Sequence, residues 1–334
     1  MTSLTLLQAL PDGFLDCGAR DLHRILKGPT LIELPGKSGA PLFVSILLHG
    51  NEDSGLGAIQ RVLRAHTGRS LPRPLMLLIG NVEAAREGLR RVENQPDYNR
   101  IWPGAEQGSD TPAGQVMAEV HRRVVERGAF AALDLHNNTG RNPHYGVICT
   151  RDDGVRGLAA LFAPRAVLFR GLPGTQTASF SGLVPAMTAE CGQPGSDANA
   201  VAGARFIEAV LSLEELPSGA SAGEGLELYH TLGVVRVKPE ISLGPGSASP
   251  HLSLEPHLDE YNFQPVAAAT AFGKTDHPRP LELIDETGRD IADRFFQVED
   301  GVLRLSEAAI PAMLTLDERI IRQDCLCYLM ERLE

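Results

Sequence analysis

Three side chains carry the strongest chemical signal in this sequence. His49 and Glu52 stand three apart in His49-Gly50-Asn51-Glu52, directly after the apolar run Leu42 to Leu48. On a turn leaving a strand, an imidazole and a carboxylate at that spacing can converge on one ion, and both bind zinc at about 2 Å. Alone the pair is a weak signal, and the bland reading, a histidine capping a turn beside a solvated glutamate, is the better account of it. His136 closes Asp134-Leu135-His136, at the end of the apolar run Ala131 to Leu135, and runs into the polar loop Asn137-Asn138-Thr139-Gly140. Residues two apart on a strand share a face, so Asp134 can meet His136 and orient its imidazole from behind. Two histidines and one glutamate leave a fourth position open for water, as catalytic zinc sites do. A purely structural use of Asp134 and His136 is the competing reading.

Two further segments could work on a substrate. The run Arg91 to Arg100 (RVENQPDYNR) is dense in hydrogen-bonding groups. Arg100 could grip a carboxylate with both arms of its guanidinium, with Asn99 adding a donor. Arg91 could stabilise the oxyanion formed when water attacks a carbonyl. A solvated, arginine-rich loop is the plainer alternative. Glu190, at the end of the apolar stretch Ala186 to Ala189 and followed by Cys191-Gly192-Gln193-Pro194-Gly195, could take a proton from attacking water and deliver it to a leaving nitrogen. Its alternative is an exposed carboxylate at a strand end. His144, beside Tyr145, is close enough in sequence to His136 to line the same pocket; the remaining histidines show no partner pattern.

The elements that must position these groups follow from periodicity. Leu42–Leu48, Leu75–Ile79, Ala131–Leu135, Tyr145–Cys149, Ala166–Phe169 and Ala186–Ala189 are short apolar runs, as expected of strands covered on both faces. Gly55–Ala65, Ala113–Arg127 and Ala198–Leu213 show apolar residues at helical spacing. The alternation predicts an α/β fold with a mixed, largely parallel sheet and helices on both faces, and chemistry in such sheets gathers at the carboxyl ends of the strands. The small, polar stretch 216–225 (LPSGASAGEG) is the best linker. It separates a catalytic domain over 1–215 from a smaller β-rich domain over 226–334, where Leu232–Val237, Ala267–Phe272, Leu281–Ile284 and Val302–Leu305 are short strand candidates and Gly244-Pro245-Gly246 a turn.

With 334 residues, 43% hydrophobic and 22% charged, the composition is that of a folded globular protein. A formal charge of −11 argues against nucleic acid or an anionic membrane as partner, while local arginines still allow an anionic small molecule. The start lacks a basic segment before its apolar stretch and does not resemble a signal peptide, and no run approaches the roughly 18 apolar residues of a membrane span. Five cysteines at irregular spacing fit reduced thiols in a cytoplasmic protein; Cys325-Leu326-Cys327 lacks the two-residue spacer of a metal or redox motif.

Taken in order, HGNE at His49 to Glu52, the Gly80-Asn81 turn, the upstream arginine with DYNR ending at Arg100, DLHNNTG at Asp134 to Gly140 and AECGQPG at Ala189 to Gly195 resemble the succinylglutamate desuccinylase and aspartoacylase family within the zinc metallocarboxypeptidase superfamily. The resemblance covers roughly residues 41 to 213. It implies one Zn2+ per chain on His49, Glu52 and His136, Glu190 as general base and acid, Arg91 as carbonyl polariser, and Asn99 with Arg100 as the clamp for a substrate carboxylate. Between Arg91 and DYNR the chain is one residue longer than the family pattern, and Arg90 is adjacent. The resemblance further implies a zinc-carboxypeptidase-like catalytic domain and a C-terminal β domain that narrows access to the metal. A tyrosine from the C-terminal part often joins the substrate pocket in this family, and Tyr229, Tyr261 and Tyr328 are the candidates here. The activity expected is hydrolysis of a linear amide in a small carboxylate-bearing molecule such as an N-acyl amino acid, by metal-activated water. A zinc carboxypeptidase acting on peptides and a non-catalytic zinc-binding relative are the alternatives. The oligomeric state stays open, a homo-oligomer included.

Overall fold

The computed structural model describes residues 3–244 and 251–333, so the turn expected at Gly244-Pro245-Gly246 falls, beyond Gly244, outside the described residues. By its contacts the chain divides into two compact units. The first holds the residues up to Asn137, then His144–Leu168 and Leu172–Leu226; the second holds Asn138–Pro143, Phe169–Gly171 and the chain from Glu227 on.

In the first unit the elements run β1 (Thr5–Leu7), β2 (Thr30–Leu34), β3 (Leu42–Ile46), α1 (Ser54–Ala65), β4 (Leu75–Ile79), α2 (Val82–Glu87), α3 (Pro112–Glu126), β5 (Ala131–His136), β6 (Tyr145–Ile148), α4 (Asp153–Phe162), β7 (Arg165–Leu168), α5 (Gln176–Phe180), β8 (Ala186–Glu190) and α6 (Asp197–Ser212). The strands lie in the order β1-β2-β4-β3-β5-β8-β6-β7. Pairing is antiparallel between β2 and β4 and between β6 and β8, and parallel at the other junctions. The sheet is therefore mixed and largely parallel, as expected.

Every residue of β3, β4, β5 and β8 is buried, which explains their near-continuous apolar sequences. Alternation sends the side chains to two different layers. Phe43, Ala132 and Ala186 join Val116, Met117, Val120 and Val124 of α3 in one apolar cluster. On the opposite face Ile46 and Leu135 meet Gly55 of α1, and Leu135 also meets Gly203 of α6. α3 starts where Thr111 Oγ1 accepts from Gly114 N at 3.1 Å and Pro112 occupies the first turn. Helix α4 has no counterpart in the sequence reading. Its Gly154 and Gly157 weaken helical propensity, and they are there because Leu216 and Pro217 pack on them: a Cβ at Gly157 would come within 2.6 Å of Pro217. The first residues of the expected linker are thus docked on the first unit.

The second unit contains β9 (Glu227–Val237), β10 (Leu252–Leu254), β11 (Ala271–Thr275), β12 (Leu281–Ile284), α7 (Ala292–Phe295), β13 (Phe296–Glu299), β14 (Val302–Leu305), β15 (Ile310–Ala312), α8 (Glu318–Gln323) and β16 (Cys327–Arg332). β9 pairs with β12 and β16, and β16 with β15, all antiparallel. A separate antiparallel sheet has the order β10-β11-β14-β13. Val235, Phe272, Leu283, Phe295, Leu303 and Leu329 lie in its shared core. Of the expected run Ala267–Phe272 only the last two residues enter a strand, because the chain turns at Ala269, whose φ is +68°.

Candidate metal centre

The site is assembled at the carboxyl ends of three adjacent strands, on the face that carries α3. At the amino ends of β3, β5 and β8 this face is apolar, with Phe43, Ala132 and Ala186. Two and four residues on, it turns polar: Ser45 on β3, Asp134 and His136 on β5, Thr188 and Glu190 on β8. The register sets Ser45 beside Asp134, Asp134 beside Thr188, and His136 beside Glu190.

β3 delivers its histidine through a strained exit. Leu47, wholly buried, has φ +54°, a conformation that costs a non-glycine residue about 1–3 kcal/mol. Two main-chain bonds hold it: Gly80 N donates to Ile46 O at 3.0 Å and Asn81 N to Leu47 O at 2.6 Å. Gly50 then passes against α2 so closely that a Cβ would lie 2.1 Å from Ala85 N. Asn81 caps α2 by accepting from Ala84 N at 3.0 Å. The Gly80-Asn81 turn therefore braces the segment that bears His49 and Glu52.

The three expected ligands converge. His49 Nδ1 lies 2.8 Å from Glu52 Oε1, and His136 Nδ1 lies 2.7 Å from Glu52 Oε2. One ligand atom from each of the three residues fits within 4.8 Å of the others, and among the described residues this is the group of histidine, cysteine and acidic side chains that could hold a metal ion. All three are buried, at 3–5% exposure. The donor set suits a divalent ion: two imidazoles and a carboxylate, each imidazole backed by its own acid. Behind His49, Nε2 donates to Asp97 Oδ1 at 2.9 Å; behind His136, Nε2 donates to Asp134 Oδ2 at 2.7 Å. Asp134 is held in turn by Ser45 Oγ at 2.6 Å, and Asp97 by Arg90 through Nε at 3.1 Å and Nη2 at 2.8 Å.

Burial opposes charge on His49, Glu52, Asp97 and His136, yet their neighbours win. Burial and Arg90 press the His49 imidazolium down, but Glu52 and Asp97 leave it above its ordinary 6.5. Burial likewise opposes protonation of His136, and Asp134 with Glu52 raises it well above that value. Burial would raise the Glu52 carboxyl, but His49 and His136 hold it far below the usual carboxylate range. Burial also works against ionised Asp97, and Arg90 followed by His49 keeps it well below its ordinary value. A divalent cation at the Nδ1 side would require both imidazoles to be neutral and would balance Glu52 in place of their protons.

The catalytic-domain pattern of the succinylglutamate desuccinylase/aspartoacylase family matches residues 39–213, which holds all of these side chains. The chain belongs to that family. Solved structures with the same fold include the succinylglutamate desuccinylase of Vibrio parahaemolyticus, with a TM-score of 0.61, 14% identity and coverage of 91% of this chain and 86% of the other. A succinylglutamate desuccinylase/aspartoacylase from Rhodobacter sphaeroides gives 0.59 at 17% identity over 90% and 88%, and murine aminoacylase 3 gives 0.57 at 15% over 89% and 96%. No curated protein matches the sequence. The family's enzymes are hydrolases that remove acyl groups, and the fold expected from the resemblance is the one observed.

The other expected site residues take definite places. Glu190 ends β8, is 6% exposed, and its strand neighbour is His136. Of the two adjacent arginines, Arg90 turns inward, with Nη1 3.8 Å from Glu52 Oε1. Arg91 Nη1 donates to Gln95 O at 2.9 Å within its own loop. Arg100 Nη1 donates to Asn99 O at 2.8 Å. His144 faces Asn199 Oδ1 at 2.8 Å and stacks on Phe162, outside the three-residue group. Tyr229 packs edge-on to Phe263 and Tyr328 against Phe169.

Four positioning residues have no role in the sequence reading: Arg90, Asp97, Ser45 and Asn137. Asn137 Oδ1 accepts from Ser54 N at 3.1 Å, while its Nδ2 donates to Ser54 Oγ at 2.9 Å and to Gly192 O at 2.8 Å. Asn137 N donates to Glu52 Oε2 at 3.1 Å. One asparagine thereby ties together the loops that follow β3, β5 and β8. Its place directly after His136 was the available signal.

Proposed function

We propose that the protein is a zinc-dependent amidohydrolase that removes an acyl group from a small carboxylate-bearing amide such as an N-acyl amino acid. The observation that carries this reading is the convergence of His49, Glu52 and His136 beside Glu190, in a chain of the desuccinylase/aspartoacylase family. His49 Nδ1, Glu52 and His136 Nδ1 would hold the ion. When bound, zinc supplies a Lewis acid that acidifies water and polarises a carbonyl oxygen.

The chain's own residues divide the remaining work. The Glu190 carboxylate accepts a proton from the attacking water and returns it to the departing nitrogen, so that the amine leaves neutral. Asp97 and Asp134 each accept the Nε2–H of an imidazole, which leaves Nδ1 of each ring to hold the ion when bound and would raise its basicity. An arginine of the 90–91 pair steadies the developing oxyanion; the approach of Arg90 to Glu52 supports Arg90 for this role over Arg91. Arg100 offers its guanidinium to the substrate carboxylate.

Metal analysis joined to a substrate panel tests the proposal. The purified protein is expected to hold one zinc per chain and to hydrolyse at least one N-acyl amino acid faster than any blocked peptide. A protein that carries stoichiometric zinc yet cleaves nothing across N-succinyl, N-acetyl and aromatic N-acyl amino acids would refute the enzymatic reading.

A further inference from the structure

Glu190 has a neighbour on each side within the sheet. The β5–β8 pairing sets His136 beside it, and the antiparallel β6–β8 pairing sets Tyr145 beside it on the other side. Side chains directly opposite in an antiparallel pair leave the same face, with Cβ atoms about 4.5–5.5 Å apart. Tyr145 therefore stands next to Glu190 on the face that carries α3. The following residue obeys the alternation: a Cβ at Gly146 would meet Met187 at 3.0 Å and Ala159 of α4 at 3.3 Å, on the opposite face. Tyr145 is 1% exposed, and a phenol ring with two side-chain torsions makes a rigid wall.

His144 acts from the other face. Its ring stacks on Phe162 of α4, which packs on Phe206 of α6. Nε2 of His144 lies 2.8 Å from Asn199 Oδ1, and Asn199 Nδ2 donates to Gln193 O at 2.7 Å. A carbonyl oxygen only accepts, so the amide nitrogen of Asn199 faces Gln193 and its oxygen faces His144, whose Nε2 carries the proton. Gln193 lies in the turn into which Glu190 runs. Asn137 Nδ2 holds the same turn at Gly192 O, 2.8 Å away, and Asp53 Oδ1 holds it at Gly195 N, 2.9 Å away. Gly192 has φ +70°, and a Cβ there would come within 3.2 Å of Asn199 Nδ2.

We infer that His144 and Tyr145 are positioning residues for Glu190. Tyr145 confines its side chain in the row His136, Glu190, Tyr145, and His144, through Asn199, fixes the turn that carries its main chain. Two consecutive residues at the start of β6 thus serve one carboxylate from opposite faces of the sheet. The inference rests on the reading of Glu190 as the proton carrier.

A double-mutant cycle on kcat tests it, because residues that act through a third lose their effect once that group is removed. Each variant is assayed per bound zinc on the best substrate of the amide panel. His144→Ala and Tyr145→Ala are each expected to lose about 10- to 100-fold in kcat, the scale of a misplacement of about 1 Å. KM should stay within about twofold, since neither residue is placed to hold the substrate. In the Glu190→Gln background the same two substitutions should change the residual rate by less than about twofold. His144→Gln keeps a donor and Tyr145→Phe keeps the ring, and each should recover most of the loss. If an alanine variant does not fold, His144→Phe or Tyr145→Leu carries the same comparison. Equal losses in the two backgrounds, or wild-type kcat in the alanine variants, overturn the positioning roles and leave the proton-carrier reading standing. A wild type that hydrolyses no amide of the panel, or a Glu190→Gln protein as active as wild type, removes that reading and the positioning roles with it.

Discussion

Glu190 and His136 lie side by side in the β5–β8 pairing, so the proposed proton carrier and one proposed ligand can be separated by substitution. Glu190→Gln keeps size and hydrogen bonding but cannot take a proton. It should retain zinc by metal analysis and lose at least about 100-fold in kcat, in line with general-base contributions; full activity would remove Glu190 from the mechanism. The neighbouring arginines give a sharper contrast. Arg90 and Asp97 are a buried pair, with side chains 6% and 12% exposed. Removing one partner leaves a buried charge uncompensated, at a cost of about 3–5 kcal/mol. Arg90→Ala should therefore show a large loss in urea denaturation, whereas Arg91→Ala forfeits one bond to Gln95 O, about 1 kcal/mol. Proton occupancy at the site also has a sign. Both imidazoles are raised above 6.5 when the acids around them have no cation to share, so the stabilisation they give the zinc-free protein is complete below the unfolded value and fades as pH climbs through the raised folded one. Zinc must displace those protons, and calorimetric titration should find its affinity increasing from pH 5 to pH 8.

At the scale of elements, the position of His49 depends on how β3 ends against α2. Leu47 holds a left-handed φ with its carbonyl oxygen bonded to Asn81, and Gly50 leaves no space for a side chain beside Ala84 and Ala85. A methyl at residue 50 would drive the turn away from α2, and overpacking of this kind costs about 1–3 kcal/mol. Gly50→Ala should lower Tm and weaken zinc binding together, because the displaced turn carries two of the three proposed ligands. A variant with reduced Tm and unchanged zinc affinity would show that the turn adapts without moving His49. The expected strand at Ala131–Leu135 extends one residue further, to His136, which makes the third proposed ligand part of the sheet and not of the loop behind it.

For the whole molecule, metal binding should be visible as stability. A ligand present at 100 times its Kd stabilises the folded state by about 2.7 kcal/mol, so chelation is expected to lower Tm by several degrees and zinc to restore it. His49→Ala should abolish that response. Insensitivity of the wild-type Tm to chelator would speak against a bound ion. The division into units bears on the same residues. Asn138–Pro143, which follows the ligand strand, belongs with the second unit, where Thr139 bonds Thr315 at 2.7 Å and a Cβ at Gly140 would lie 1.9 Å from Leu314 O. Among the described residues no helix is long and apolar enough to cross a membrane.

Hydrophobic periodicity is local, and so the sequence by itself determined the strands that end at the site, the parallel character of the sheet and the three side chains brought to one point. A histidine at the end of a buried strand has few directions in which to project, and motif order restricted the partners further. What only the tertiary structure decided concerns loops and distant contacts. Arg90 and Arg91 are chemically identical neighbours, and nothing in their spacing tells which turns inward; the bonds of Gln95 and Asp97 do. Ser45, Asn137 and the His49 contact of Asp97 depend on partners 48 to 89 residues away, which no window of sequence contains. The membership of Asn138–Pro143 in the second unit follows from backbone crossing near Leu314, a contact made possible by the missing side chain of Gly140.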